Sequence, residues 1–394
     1  MTSPRLVLFD DAIARAWRPL TLTRPAGELL FGTMTLRARL ERAVGTPCHA
    51  HAVGHPLPGY TEPWAPPVID PQALPDGPLV LLSSRLIAED IDVPASPAIL
   101  TAQGHVVGCC LGPDDPRPDP GFLEEPDAHA PGYTAHEVGG RLLHQVWHLM
   151  SQNPDRVAAD LAGATADPVP EGVHAIGDGL VSLGSDVTIA PTAVLDTRNG
   201  PIRVEDGAEV APFTCVQGPA WIGPRTALLG GRFEAVSIGP RCKVHGEVEA
   251  SVILGYTNKA HDGFLGHAYL GMWVNLGALT TNSDLKNNYG SVRLWTPGGT
   301  VDTGERKVGC FLGDHVKTAI GTMLNTGTVI EAGSNIFGGM PPKYVPPFSW
   351  GDPETAYGFE QFLETARTVM DRRDVALEDG QWRMLRHIWE QARG

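Results

Sequence analysis

The sequence predicts an α/β domain at the N-terminus, then a left-handed parallel β-helix, then two closing helices. Three observations carry that reading. Short apolar runs separated by turns fill the first third of the chain, aliphatic residues recur at every sixth position in its second half, and the tail has helical spacing.

In the first part, residues 1–135, the apolar runs Leu6–Phe9 and Leu79–Leu82 suit buried strands, with Ala98–Leu100 a weaker third. Thr33–Arg42 has helical composition, with Leu36 and Leu40 on one face. Gly112–Tyr133 contains six prolines and is expected to be an irregular loop. A helical linker is expected over 136–165. Leu142, Val146 and Met150 share one face of a helix over 136–151, and Asn153-Pro154-Asp155 stops it. A second short helix runs toward Ala162, with Gly163 as its stop.

Residues 166–348 carry the repeat. Leu183, Ile189 and Leu195 are followed by Val204, Val210, Val216, Ile222 and Leu228, and later by Leu312, Thr318, Leu324, Ile330 and Ile336. Four residues after most of these stands a small or β-branched residue, among them Ala193, Ala208, Thr214, Thr226, Thr328 and Ser334. A period of six fits neither an α-helix nor a plain strand; it is the hexapeptide repeat of a parallel β-helix, whose aliphatic residue points inward while the small one lets the chain turn a corner. The repeat breaks off between Val248 and Val308, where a polar, asparagine-rich insertion is expected. In the tail, 349–394, Phe359, Phe362, Leu363, Ala366 and Met370 mark one amphipathic helix, and Trp382, Leu385, Ile388 and Trp389 a second.

Charge narrows the function classes. The chain of 394 residues has 30 Lys+Arg against 45 Asp+Glu, a formal net charge of −15, which argues against nucleic-acid and anionic-membrane binding. The start lacks the pattern of a secretory signal, no run approaches the ~20 apolar residues of a spanning helix, and no cysteine pair has Cys-x-x-Cys spacing. The expectation is a cytoplasmic protein with reduced thiols. All six lysines lie between 243 and 343, so ammonium groups that meet phosphates are expected there. Cys48, His49, His51 and His55 resemble a metal cluster, but their spacing fits no zinc pattern.

His261 heads the polar insertion between Lys259 and Asp262. A neutral imidazole there can accept a proton. His245, His267 and His315 have weaker contexts.

The run Leu254–Tyr289 resembles the acyltransferase half of bacterial bifunctional glucosamine-1-phosphate N-acetyltransferase/N-acetylglucosamine-1-phosphate uridylyltransferases. LFDD at 8–11, RPLTLTRPAGEL at 18–29, ILGYTNKAHDGFLGHAYLG at 253–271 and GTMLNTGTVIEAGSNIFGG at 321–339 resemble a divergent branch of sugar nucleotidyltransferases over nearly the whole chain. The resemblance implies a short, divergent nucleotidyltransferase-like domain joined to an acyltransferase β-helix, assembled as a homotrimer. His261 is then the general base, Asn275 and Arg232 contact the sugar 1-phosphate, and Ala278 and Ala332 lie beside acetyl-CoA. Lys243, Lys259, Asn282 and Lys286 are further substrate candidates, and Asp314 stands where the cofactor side has a serine.

Departures accompany the likeness. The family tyrosine three residues after the base is Phe264, the Asn of its CNYDG motif is Asp284, and no arginine closes the solenoid. In the first domain the Gly-rich GxGTRM loop is replaced by Phe9–Ile13, the Pro-Lys pair by Arg24-Pro25, and the metal-binding aspartate by Ser83, Ser84 and Arg85. Arg18, Arg24, Glu28 and Arg85 are left as an altered phosphate site, with Asp10 and Asp11 as candidate ligands for Mg²⁺. Three readings stay open: acetyl transfer to an amino-sugar 1-phosphate, with or without nucleotidyl transfer from a nucleoside triphosphate; nucleotidyl transfer on a purely structural β-helix; or a non-catalytic sugar-phosphate scaffold.

Overall fold

The computed structural model describes residues 4–54 and 57–393. They form two compact units. The first gathers the chain up to Leu29, Met34–Val146 and Glu378–Ile388; the second gathers Leu30–Thr33, Trp147–Leu377 and the residues from Trp389 on.

The first unit is built on a seven-stranded mixed sheet. Its spatial order is Ala135–Glu137, Ala98–Ala102, His105–Leu111, Leu79–Ser83, Arg5–Phe9, Cys48–Ala52, Val68–Ile69. Arg5–Phe9 pairs in parallel with both Leu79–Ser83 and Cys48–Ala52, while His105–Leu111 runs antiparallel to its neighbours. Alternate side chains enter two separate cores, Leu6, Leu8, Val80 and Leu82 on one face and Val7, Phe9, Leu79 and Leu81 on the other. A strand buried on both faces reads as a continuous apolar run, as these do. Leu36–Val44 is helical, capped by the Thr35 side chain and ended by Gly45 at φ 70°.

Several expectations need correcting. Cys48–Ala52 is a strand with His49 exposed and His51 buried, its Nε2 2.8 Å from Glu28 Oε1; His55 lies outside the described residues. The proline-rich loop holds one short helix, Pro120–Glu124, because Pro120 at its first turn gives up no needed hydrogen bond. The helix expected over 136–151 is mostly not one. Ala135–Glu137 and Arg141–Leu142 are strands, Gly139 and Gly140 at φ 72° and 82° break the chain between them, and only His148–Ser151 is helical. Asn153-Pro154 starts the following helix, Asn153–Asp160, rather than stopping one.

The second unit is a parallel β-solenoid of the left-handed β-helix type. The first face stacks nine strands from Val181–Leu183 to Tyr344–Val345. The second carries Glu209–Val210, Asn258–Lys259, Asn275–Leu276, Lys317–Thr318 and Asn335–Ile336; the third carries Val194–Asp196, Thr214–Gln217 and Phe264–Gly266. Ala227–Glu234 and Lys243–Glu249 bend round the corner and belong to both. Every period-six aliphatic position joins or touches one continuous core.

The corners explain the small residue of each repeat. Phe213, Arg225, Arg241, Leu279 and His315 sit at φ 55–63°, a left-handed conformation costing about 1–2 kcal/mol per residue. Each is followed by a buried small or β-branched residue: Thr214, Thr226, Cys242, Thr280 and Val316. Hydroxyls there tie coil to coil. Thr226 Oγ1 donates to Gly239 O at 2.7 Å and accepts from Cys242 N at 3.0 Å, and Ser251 Oγ donates to Glu249 O while accepting from Ala268 N.

The solenoid is not interrupted where the repeat fades. Ile253, Leu265, Leu270 and Leu276 continue the inward column, and only the segment from Asp284 to Lys307 leaves it, folding as the hairpin Arg293–Thr296/Gly299–Asp302. The repeat is hidden because these coils are shorter than three hexapeptides and because Lys259 and Asn282 take inward positions.

The segment Leu30–Thr33 is fastened to the solenoid by buried hydrogen bonds. Tyr269 Oη donates to Leu30 O and accepts from Leu30 N, and Ser237 Oγ donates to Gly32 O. After the last coil, Asp352–Ala356 folds back antiparallel on Ser349–Trp350. The helix Phe359–Asp371 buries the five apolar residues expected of it, and in Asp379–Arg393 Leu385 and Ile388 are buried while Trp382 and Trp389 are half-buried.

The corner reading is testable at Thr226. Thr226→Val keeps the shape but strips both hydrogen bonds, and urea unfolding is expected to show a loss of about 1–3 kcal/mol. Thr226→Ser should recover most of it.

Candidate functional site

His261 stands exposed at the corner between the second and third faces, and its ring has no hydrogen-bond partner among the described residues. One coil below, His245 Nδ1 lies 3.3 Å from Asp262 Oδ1. Polar columns flank this corner on both sides.

On the second face, strand register aligns Lys243, Asn258, Asn275, Lys317 and Asn335. Lys243 is exposed, and Asn275 Oδ1 accepts a 2.8 Å hydrogen bond from Asn258 Nδ2. Ala278 is half-buried at the following corner.

On the third face, Cys215, Arg232, Glu247 and Phe264 form one outward column, and Gln217, Glu234, Glu249 and Gly266 the next. Arg232 is fully engaged: Nε donates to Gln217 Oε1 at 2.7 Å, Nη1 to Glu247 Oε1 at 3.2 Å, and Nη2 to Glu234 Oε2. It is therefore not the open phosphate clamp expected of it; a phosphate would have to displace carboxylates.

Beyond Phe264, His267 Nδ1 bonds Asp284 Oδ2 at 2.8 Å. Burial pushes the Asp284 carboxyl up, but the His267 hydrogen bond and charge, with Lys307, hold it below the usual carboxylate range. Glu249, His267 and Asp284 bring their ligand atoms within 4.8 Å of one another. That donor set can hold a divalent cation, although the Lys307 ammonium already sits 3.0 Å from Glu249. Sequence reasoning gave His267 only a weak context because its partner Asp284 lies a coil away.

Other candidates turn out to serve the coil itself. Lys259 is 2% exposed and points inward, its ammonium donating to the carbonyls of His245 at 2.6 Å and His261 at 3.1 Å. From inside the coil it braces the backbone of His261. Asn282 exchanges both ends of its amide with the backbone of Gly266. Lys286 donates to Ser291 O. Asp314 is buried, accepting from Met272 N, and Ala332 is buried with its carbonyl accepting from Phe348 N. Neither lies open beside a cofactor.

In the first unit the proposed phosphate site is charge-compensated. Arg85 Nε donates to both Asp11 oxygens at 2.9 Å, Nη2 to Oδ2 at 2.6 Å and Nη1 to Leu143 O. Arg24 and Glu62 form a buried two-point pair at 3.1 Å. Burial alone would raise the Glu28 carboxyl, but His51 at 2.8 Å and Arg37 hold it low. Arg18 is half-buried. The residues do not fit Mg²⁺. Asp11 is spent on Arg85 and on capping the helix at Ala14, and Asp10 is buried, its carboxyl pushed up by that burial against hydrogen bonds from Ser84 and Ala26.

Residues 6–168 match the family model described as sugar nucleotidyl transferase. The chain is 30% identical over 152 residues to the bifunctional sugar-1-phosphate nucleotidylyltransferase/acetyltransferase of Sulfurisphaera tokodaii, covering 36% of each chain. It is 31% identical over 137 residues to the bifunctional protein GlmU of Acaryochloris marina, covering 28% of this chain and 29% of that one. The chain thus spans about a third of the length of the curated relatives it matches. A solved Arabidopsis UDP-N-acetylglucosamine acyltransferase is similar at 10% identity and a TM-score of 0.25, covering 52% of this chain and 80% of that one. The resemblance read from the sequence stands, at low identity. No helix among the described residues is long and apolar enough to cross a membrane.

Two predictions follow from these buried charges. Arg85→Met strands the Asp11 carboxylate and is expected to cost about 3–5 kcal/mol in urea unfolding; a loss under about 1 kcal/mol would free Arg85 for a ligand. Burial pulls Lys259 down to about 8, opposed by Asp262, and Lys317 also to about 8. The unfolded lysine keeps its proton to about 10.5, so between these values unfolding takes up protons and these two groups make stability rise with pH. Cys242 and Cys310, pushed up to about 12 by burial, act oppositely above about 9. The measure is therefore the difference between wild type and Lys259→Met in unfolding free energy at pH 7.5 and 10, and the variant should gain less.

Proposed function

We propose that the chain is a sugar-1-phosphate-modifying transferase whose solenoid moves an acetyl group from acetyl-CoA to the amine of an amino-sugar 1-phosphate. The observation that carries this reading is the corner where His261 stands open between two columns, one passing through Asn258 and Asn275 and the other through Arg232 and Glu247. The similarity to bifunctional nucleotidylyltransferase/acetyltransferases supports it.

In this reaction the amine attacks the thioester carbonyl while His261 accepts the amine proton. A nitrogen–carbon bond forms, the carbon–sulfur bond breaks, and the thiolate leaves to be protonated. Asn275 contacts the sugar, and Lys243, exposed on the same column, is available to the phosphate. The open His261 ring fits assembly as a homotrimer, in which a neighbouring copy covers the corner. In the first unit Arg24 and Arg85 are committed to carboxylates, so transfer chemistry is assigned to the solenoid; nucleotidyl transfer from a nucleoside triphosphate there would require Arg24 or Arg85 to be released.

The test is mass spectrometry of products from hexosamine and hexose 1-phosphates with acetyl-CoA, mixed nucleoside triphosphates and Mg²⁺. Acetylation should appear and fall by at least about a hundredfold in His261→Ala. Acetylation surviving that change but lost in His267→Ala would move the base to the His267–Asp284 pair. Nucleotidyl transfer without acetylation would overturn the reading.

A further inference from the structure

A cavity of about 270 Å³ in the second unit lies where the solenoid meets the end of the helix Phe359–Asp371. Its solenoid wall carries Tyr256, Asn258, Trp273, Asn275 and Lys317, and the helix end adds Arg372 and Arg373. Three features distinguish it.

Its charge is one-sided. In a chain with a formal net charge of −15, the cavity wall holds Lys317, Arg372 and Arg373 and no carboxylate. Neither guanidinium makes a hydrogen bond or ion pair among the described residues, and the adjacent Asp374 faces Arg241 at 3.8 Å instead. Lys317 spends one hydrogen bond on His315 O at 3.1 Å. Burial pulls its ammonium toward neutrality, a cost that an anion beside it would relieve.

The wall also holds an unused donor. Trp273 is 1% exposed, and its Nε1–H has no acceptor among the described residues. A buried donor left unpaired costs about 1–3 kcal/mol, so its place beside three cations points to an acceptor-rich guest. The third feature is aromatic packing behind the wall, with Trp273 held between Tyr256 and His315. Tyr256 and Trp273 pack with centroids 4.3 Å apart and planes at 32°, next to the linked carboxamides of Asn258 and Asn275.

We propose that this cavity binds a phosphorylated ring compound, its phosphate held by Arg372, Arg373 and Lys317 and its ring set against Tyr256 and the paired asparagines. Small-molecule sites run from about 300 to 1,000 Å³; at about 270 Å³ the cavity falls just under that range, which favours a guest the size of a sugar phosphate or a single nucleoside phosphate over an entire coenzyme A. The site shares Asn275 with the acceptor side of the proposed reaction but does not depend on that reaction taking place.

Isothermal titration of the full chain separates the possibilities, with glucosamine 1-phosphate, uridine monophosphate, adenosine 3′,5′-bisphosphate and inorganic phosphate as probes. At least one ring compound should bind with a Kd below about 1 mM and more tightly than inorganic phosphate. The double variant Arg372→Ala/Arg373→Ala should weaken it about tenfold or more, and Trp273→Phe, which keeps the ring and loses the N–H, by a smaller factor. Preference for the hexosamine phosphate places the acceptor here, preference for the adenosine bisphosphate places the phosphate end of an acyl donor, and preference for uridine monophosphate places a nucleotide product. No binding of any probe overturns the proposal, as does unchanged affinity in the double variant with a native circular dichroism spectrum. Binding retained while the wild type transfers no acetyl group would sink the reaction and leave the pocket standing.

Discussion

The second unit depends on one backbone requirement: at each corner a residue must enter the left-handed region and the next must be small enough to sit inside. Phe213, Arg225, Arg241, Leu279 and His315 accept that conformation without being glycine, at a cost of about 1–2 kcal/mol each. The stack offsets this with continuous burial of its aliphatic column and with hydroxyls such as those of Thr226 and Ser251 that bond across coils. Because corners and inward positions are thus committed, the outward positions are left to chemistry. They line up in columns, since parallel strands in register place residues one coil apart side by side.

Polar side chains at inward positions are where this division is breached. Lys259 replaces an aliphatic residue and hangs from the carbonyls of His245 and His261, and Asn282 imitates a strand by pairing with Gly266. Both lie on coils that also carry the candidate base and its neighbours. These two polar residues give up apolar burial beside His261 and, next to Gly266, His267, the kind of local departure from packing that functional sites show.

Much of this was legible in the sequence. The period-six column predicted nearly every inward residue outside 230–310, and the tail helices appeared with their buried faces. The middle coils were not legible, because shortened turns and two polar inward residues erase the period that betrays the rest. The linker misled for a different reason. Leu142, Val146 and Met150 have helical spacing, but Gly139 and Gly140 turn the chain and the sheet edge captures Ala135–Glu137. Of the candidate site, His261 and Asn275 were singled out by resemblance and Lys243 by the clustering of lysines, and the structure leaves His261 and Lys243 exposed. What one-dimensional reading could not supply was whom each charge faces. Arg24 and Arg85 looked like anion binders until their carboxylate partners, distant in sequence, came into view, and Arg232 until Glu234 and Glu247 were seen to close on it from its own coil and the next. Arg372 and Arg373 drew no attention because nothing in the tail says which coil they approach.

The antiparallel return of Asp352–Ala356 onto Ser349–Trp350 has a consequence for assembly. A parallel solenoid ends in strands whose backbone groups are ready to accept another strand, and a second molecule could continue the stack into a fibre. The returning strand occupies that edge with reversed polarity and brings Pro353, which has no amide hydrogen to offer, onto the outer rim. Strand addition is therefore opposed on that face, while the nine-stranded face ends at Tyr344–Val345 without such a cover among the described residues.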